Sequence, residues 1–591
     1  MNIQISKPNC RSKEAADRNS PFPVCFSITE GIVSVYVFLM LTVFPLFATD
    51  MYYNILVDKY YFFWMTTAAA AGLCAVVWLI GAFIDKREFR GKQSDGSSGA
   101  RLSAGTLWKR IRGAAMPCDW FLLAFLAVAL LSSALSEWQY EAFWGNMGRY
   151  QGSFFWIWCA VSYFMVTRFF RVKRWYLDAF LLVGIYIAIW GLQDFMGLDP
   201  HGWLSDIDAS QINMFTSSIG NINTYTAVII LYLSAACVLF VSAETGKITQ
   251  RKTGRLENRK KAEMLLLWIR FLFYAVCVFL FFMAMIAGQS DNAVLGIAVI
   301  LCFLPFYAWR SRKGFVRYWF VAAAFFGAMA AVRQLAQVSP NPYIGFWSGI
   351  LLGLCGKEWI GTLALAALGT ALVIWALCAA IGAKAKKEAA EKKCMKAFRL
   401  IWLALGIIAL FILIWLFWDA NHGGHPDWYA PYAQVFYFNG DWGTHRGYNW
   451  SILIRHFSEF PLWKKLIGSG PETYGIVTRI YDYTAMVAAY GEIYDSPHNE
   501  FLQYLFTTGI LGFVAYYGFV ITGSLKALGL SFRKKDKVER RSSAKNPIGA
   551  AAVFAAAGYT AMSFINISVP IVVPLMLLCL FIGIASEKQR K

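Results

Sequence analysis

Six histidines occur in 591 residues. One of them, His498, stands in Ser496-Pro497-His498-Asn499-Glu500, immediately before a long apolar run. Serine is a good N-cap and proline fits a first helical turn, so the pattern predicts a helix starting here, with His498 and Asn499 in its first turn. Free backbone N–H groups and the positive end of a helix dipole suit an anion such as pyrophosphate. The same surroundings disfavour imidazolium and leave a neutral histidine able to act as a base. The plainer expectation is an interfacial histidine satisfied by a loop carbonyl. Glu500 reads equally as a first-turn charge favoured by the dipole. Arg446, Arg455 and Arg479 precede the histidine, and Arg149 lies far upstream. Each sits in a loop otherwise poor in basic residues and so calls for a local anionic partner, with a lipid headgroup or a carboxylate as the plain alternative. His422 and His425 have H-x-x-H spacing without further ligands close by, and Asp206 and Asp208 form a D-x-D. Neither pattern predicts a metal site, and no cofactor is expected.

These residues must be held by membrane helices. The chain is 58% hydrophobic and only 15% charged, with mean hydropathy +0.48, where soluble chains are about 25% charged. The net charge of +20 would suggest nucleic acid in a soluble protein, but no Gly-rich phosphate loop or nucleic-acid motif is present, and no nucleic-acid partner is expected. The cysteines lie mainly in apolar stretches, which argues against a disulfide framework. The first apolar run lacks a small-residue cleavage site and reads as an uncleaved anchor.

Fourteen stretches approach the length needed to cross a bilayer: 31–48, 61–84, 120–135, 154–170, 175–193, 221–242, 262–287, 293–309, 318–332, 359–382, 400–417, 501–523, 549–564 and 569–584. The loops between them alternate. Residues 85–118, 171–174, 247–261, 310–317, 384–399 and 533–545 are basic, and the intervening loops are not. The positive-inside rule then puts both termini in the cytoplasm. The predicted fold is an all-α polytopic integral membrane protein: a cytoplasmic segment 1–30, eleven helices within 31–417, a large extracytoplasmic loop 418–500, the C-terminal helices in 501–584 and a tail 585–591. Residues 341–355 are apolar but short and Gly-rich, and are expected to be re-entrant or interfacial.

The order of motifs resembles the O-antigen ligase and polymerase superfamily, whose members are membrane glycosyltransferases acting on polyprenyl-pyrophosphate-linked glycans. The resemblance rests on His498-Asn499 followed by Gly509-Ile510-Leu511-Gly512, on Arg446 and Trp450 in "RGYNW", on Pro461, and on Gly468-Ser469-Gly470. "SIGNINTYTA" with Gly220, Asn221 and Asn223, and "GRYQG" with Arg149 and Gly152, extend it. One departure stands out: where many members have Ser-Arg, this chain has Ser290-Asp291. The resemblance implies a GT-C-like membrane enzyme that transfers or polymerises glycan from an undecaprenyl-pyrophosphate donor onto an acceptor hydroxyl of a glycan, lipid or protein. The reaction would occur at the outer face of a bacterial plasma membrane, with inversion and without metal. Arg446 and His498 would be catalytic. Arg149, Arg455, Arg479, Gly468, Gly470, Asn221, Asn223, Asn499 and Glu500 would contact substrate. The contrasting expectation is a flippase of lipid-linked oligosaccharide, which would need midplane charges or inverted repeats.

Overall fold

The computed structural model describes residues 22–92, 115–146, 148–209, 211–244, 255–339, 341, 350–381, 388–430, 433–530 and 546–589. Each of the fourteen predicted stretches overlaps a helix. These are α1 (Phe22–Thr42), α2 (Ile55–Lys92), α3 (Pro117–Leu135), α4 (Ser153–Phe169), α5 (Arg174–Phe195), α6 (Ile222–Ser242) and α7 (Arg255–Ala287). Then follow α8 (Asn292–Ala308), α9 (Arg312–Val338), α10 (Ile360–Ile381), α11 (Glu388–Asn421), α12 (Glu500–Ala527), α13 (Pro547–Met562) and α14 (Val573–Lys588). Eleven are long and apolar enough to span a membrane; α4 and α8 have 17 residues and α14 has 16. The protein is an all-α polytopic membrane protein, with strands limited among the described residues to a two-residue pair, Phe215–Thr216 against Gly220–Asn221.

Contacts between helix ends sort the loops onto two faces. On one, Arg168 at the end of α4 pairs with Asp119 at the start of α3 (2.6 Å). There also Gln589 beyond α14 donates to the Phe170 carbonyl (2.6 Å), and Arg317 donates to the Ala243 carbonyl after α6. On the other, the Ser133 and Ser153 hydroxyls meet (2.7 Å), and Asn566 before α14 donates to the Asn223 carbonyl (3.1 Å). Successive helices therefore run up and down, and the first face carries the basic loops 171–174 and 310–317.

α6 lies at the centre, with its whole apolar window buried, whereas α11 buries none of its own. An apolar surface all round suits a helix enclosed by others or one facing lipid. Residues 341 and 350 of the 341–355 segment are both anchored on the second face: Asn341 donates to the Phe195 carbonyl (3.1 Å), and the Ile350 N–H donates to Asp291 (2.8 Å). Residues 342–349 lie outside the described residues, and the helix Ile350–Cys355 rises only about 9 Å.

The expected straight span from Phe501 needs correction. Gly509 has φ +65° and ψ −174° inside α12, and the chain folds back on itself there. Glu500 accepts a hydrogen bond from the Tyr516 hydroxyl (3.2 Å), and the Phe501 and Tyr517 rings stack at 4.6 Å. In a straight helix residues sixteen apart are about 24 Å apart. Residues 500–508 thus form an arm packed against the helix that follows Gly509. The break frees two carbonyls, and a neighbouring segment satisfies them: Ser469 N–H donates to Phe506 O (3.1 Å) and Gly470 N–H to Thr507 O (3.0 Å). Irregular backbone at membrane depth persists only when protein supplies such partners.

Candidate active site

The loop between α11 and α12 folds into short helices, and the longest, Trp442–Glu459, positions the histidine. Asn449 and Trp450 on this helix are buried. The Asn449 amide donates to the Ser496 carbonyl, and the Trp450 indole donates to the Pro497 carbonyl (2.8 Å). The chain before His498 is thereby clamped residue by residue. The predicted helix start is displaced: the N-cap is Asn499, whose Oδ1 accepts from Leu502 N–H (3.1 Å), and the helix begins at Glu500. His498 lies outside it with φ +49°. The Ser496 hydroxyl caps the His498 N–H (3.2 Å) instead of the helix. The backbone turns at the histidine because it must pass from the clamp into the arm.

The imidazole has no hydrogen-bond partner among the described residues, so it is not the carbonyl-satisfied histidine of the plainer expectation. Burial first, then the charges of Arg149 and Arg446, push it from 6.5 down to about 3, against a smaller opposing effect of Asp495. Arg446 follows a left-handed turn, Gly443–His445, and donates from Nη1 to the Gly443 carbonyl (2.6 Å). Burial lowers its basicity, while Asp291 opposes that effect. The carboxylate at the family's arginine position therefore lies in the field of Arg446. Arg149 comes from the loop between α3 and α4 and binds Asp495 (2.6 Å). Nε of Arg149 and Nε of Arg446 are buried without a partner among the described residues. Such unpaired donors are costly unless something brings acceptors.

Two acidic residues at this site escaped the sequence reading. Burial would raise Asp495, but the charge and hydrogen bond of Arg149 outweigh it and hold the group below its ordinary value. Burial pushes Glu472 from 4.5 up to about 7, with Arg149 opposing and Asp495 assisting. The nearness of Asp495 to His498 in "YDSPHNE" was the available signal; Glu472 carried none.

Other predicted residues have different work. Arg455 and His456 both bind the buried Asp482, the histidine at 2.6 Å, so Arg455 is spent on a carboxylate. Arg479 is exposed on Tyr474–Tyr481. Gly468 and Gly470 flank the strap on the α12 break; Gly468 has φ +85°, and a Cβ there would overlap the Thr507 backbone. Their role is close approach of chain to chain. Asn221 caps α6 through the Asn223 N–H (2.9 Å), and the Asn223 side chain accepts from the Ser290 hydroxyl. Asn499 is the cap described above, and Glu500 is 1% exposed beneath Tyr516. His425 bonds Asp419 (3.0 Å) and His422 the Trp418 carbonyl (2.8 Å). Asp206 and Asp208 are exposed. Among the described residues no group of three or more potential metal ligands comes together.

Arg149, Arg446 and His498 thus converge on the face opposite the basic loops: two cations with unpaired N–H donors beside an unbonded neutral imidazole. That arrangement can hold a multiply charged anion and take a proton beside it. No curated protein matches the chain. Residues 350–517, which include Arg446, the Gly468–Gly470 strap, His498 and the Gly509 hinge, match the protein-family model described as O-antigen ligase. Over that stretch, somewhat less than a third of its length, the chain is similar to the O-antigen ligase and polymerase superfamily.

Proposed function

We propose that this protein transfers or polymerises glycan from an undecaprenyl-pyrophosphate donor onto an acceptor hydroxyl at the outer face of a bacterial plasma membrane, with both termini cytoplasmic. The observation that carries the reading is the pair of buried, incompletely bonded arginines whose charges both act on an unbonded histidine, which lies with Arg446 in a stretch that matches the O-antigen ligase model. The donor pyrophosphate would sit between Arg149 and Arg446, which stabilise charge as the anomeric C–O bond to phosphate breaks. The acceptor oxygen would attack from the opposite side and invert the centre, its proton passing to His498. Polyprenyl pyrophosphate leaves already charged, so neither a proton donor nor a metal is required. A histidine held near 3 is a weak base, but an anion between the arginines would cancel two of the three influences that depress it. Donor binding would therefore make His498 more basic at the moment an acceptor can react.

The test uses the full chain in lipid with an undecaprenyl-pyrophosphate glycan and a panel of acceptors, nucleotide sugar and metal withheld. Transfer by wild type, and at least a hundredfold less by correctly folded His498→Ala and Arg446→Ala, is expected. Equal transfer by the variants would remove both residues from the chemistry. Movement of the lipid across the bilayer without transfer would favour a flippase.

A further inference from the structure

A cavity of about 220 Å3 opens between the outer ends of α5 and α7 and the start of α6, with Asp194, Ser205, Asn213, Phe215, Thr216 and Gln289 in its lining. It has room for about seven waters at about 30 Å3 each, or one six-membered sugar ring. Gln289 is two residues from Asp291, whose charge acts on Arg446. Asp194 is 5% exposed and Gln289 9%. Gln289 Oε1 has no hydrogen-bond partner among the described residues, and Asp194 Oδ1 makes no well-aligned bond there, the Trp190 indole being its neighbouring donor. Buried acceptors of this kind call for donors.

The remaining chemistry narrows the ligand. Asp199 also lines the cavity, but its oxygens accept from the Trp203 and Leu204 N–H groups (2.9 and 3.1 Å). Asp194 Oδ2 accepts from Ser217 N–H (2.7 Å) and the Thr216 hydroxyl (3.2 Å). One incompletely bonded carboxyl oxygen is too little for a hard divalent cation, which takes six or more oxygen ligands. An anion would meet a carboxylate. Hydroxyl groups fit: one donates to Asp194 while its neighbours donate to or accept from the Gln289 carboxamide and the Ser205 hydroxyl, and the Phe215 ring supplies an apolar wall.

We infer that this cavity is a subsite for a single pyranose ring. That the ring belongs to the transferred glycan or its acceptor rests on the transferase reading; its binding does not.

Saturation-transfer NMR on the full chain in lipid nanodiscs tests this, with glucose, galactose, N-acetylglucosamine and rhamnose as probes. At least one sugar should bind wild type and His498→Ala alike. Ser205→Trp, at an exposed position on the rim, should abolish that binding without unfolding the protein, and Asp194→Asn should weaken it about tenfold. Silence from all four sugars, binding that survives Ser205→Trp, or displacement of the sugar by calcium would overturn the inference. Sugar binding without glycan transfer would sink the transferase reading and leave the subsite standing; transfer without sugar binding would do the reverse.

Discussion

The ionisation of His498 offers the sharpest prediction. A fall from 6.5 to about 3 corresponds to about 5 kcal/mol between the two protonation states. At pH 5 only about 1% of the imidazole would then carry a proton. The measurement is NMR of histidine-labelled protein in nanodiscs, with the His498 signal identified by subtracting His498→Gln. In the free protein no titration of this ring should occur between pH 5 and 8. Pyrophosphate, inorganic or polyprenyl, should then move the midpoint upward, because it cancels Arg149 and Arg446 while burial remains. Arg446→Met should move it the same way in the absence of ligand. Linkage gives a second readout. The folded state refuses a proton that the unfolded state accepts below 6.5, so stability is lost as pH falls from 6.5 towards 3. Between pH 6.5 and 4.5 wild type should lose about 2.3 kcal/mol relative to His498→Gln, the slope approaching about 1.4 kcal/mol per pH unit once the unfolded ring is fully protonated. A midpoint near 6.5 in the free protein, or one that ignores pyrophosphate, would refute the reasoning.

Gly468→Ala should destabilise the protein by about 3–4 kcal/mol, from left-handed strain and weakening of two strap hydrogen bonds. Denaturation in detergent checks this, and an unchanged midpoint with a raised donor KM would restore Gly468 to a binding role. Trp450→Phe keeps a ring but removes the donor to the Pro497 carbonyl; about 1 kcal/mol of stability and a several-fold loss of kcat with little change in donor KM are expected from steady-state transfer rates. Glu472, raised from 4.5 to about 7, contributes stability that is full below pH 4.5 and lost as pH rises through 7. Glu472→Gln should therefore gain on wild type by up to about 3 kcal/mol over that interval, measured as the difference between their denaturation curves at pH 4.5 and 7.5.

The helices were legible because each apolar stretch approaches the length a bilayer demands, and the alternation of basic loops matches the up-and-down order of the helices. Helix starts were less legible. Ser496-Pro497 satisfies every local rule for a helix N-terminus, yet the pull of Asn449 and Trp450 on the two preceding carbonyls moves the cap to Asn499. The fold-back at Gly509 was hidden for the same reason: "FLQYLFTTGILGFVAYY" reads as one apolar run, and only the partners at Ser469 and Gly470, some forty residues earlier, make the break affordable. Arg446 and His498 were singled out through residue type and order. Arg455 resembled them equally, and its diversion to Asp482 depends on a contact across 27 residues that no spacing announces.

Arg446, Asn449 and Trp450 fall three and four positions apart, a spacing that puts them on one stripe of a single helix. The cation and the two hands that grip the histidine's chain are therefore parts of one rigid body. If the outer domain swings to admit a lipid-borne chain on one side and an acceptor on the other, anion clamp and proton acceptor travel together, and their spacing survives the motion. Arg149, rooted between α3 and α4, stays with the membrane bundle. Opening would have to break the Arg149–Asp495 ion pair before it could separate the two arginines, so that pair would act as the latch of the proposed pyrophosphate seat.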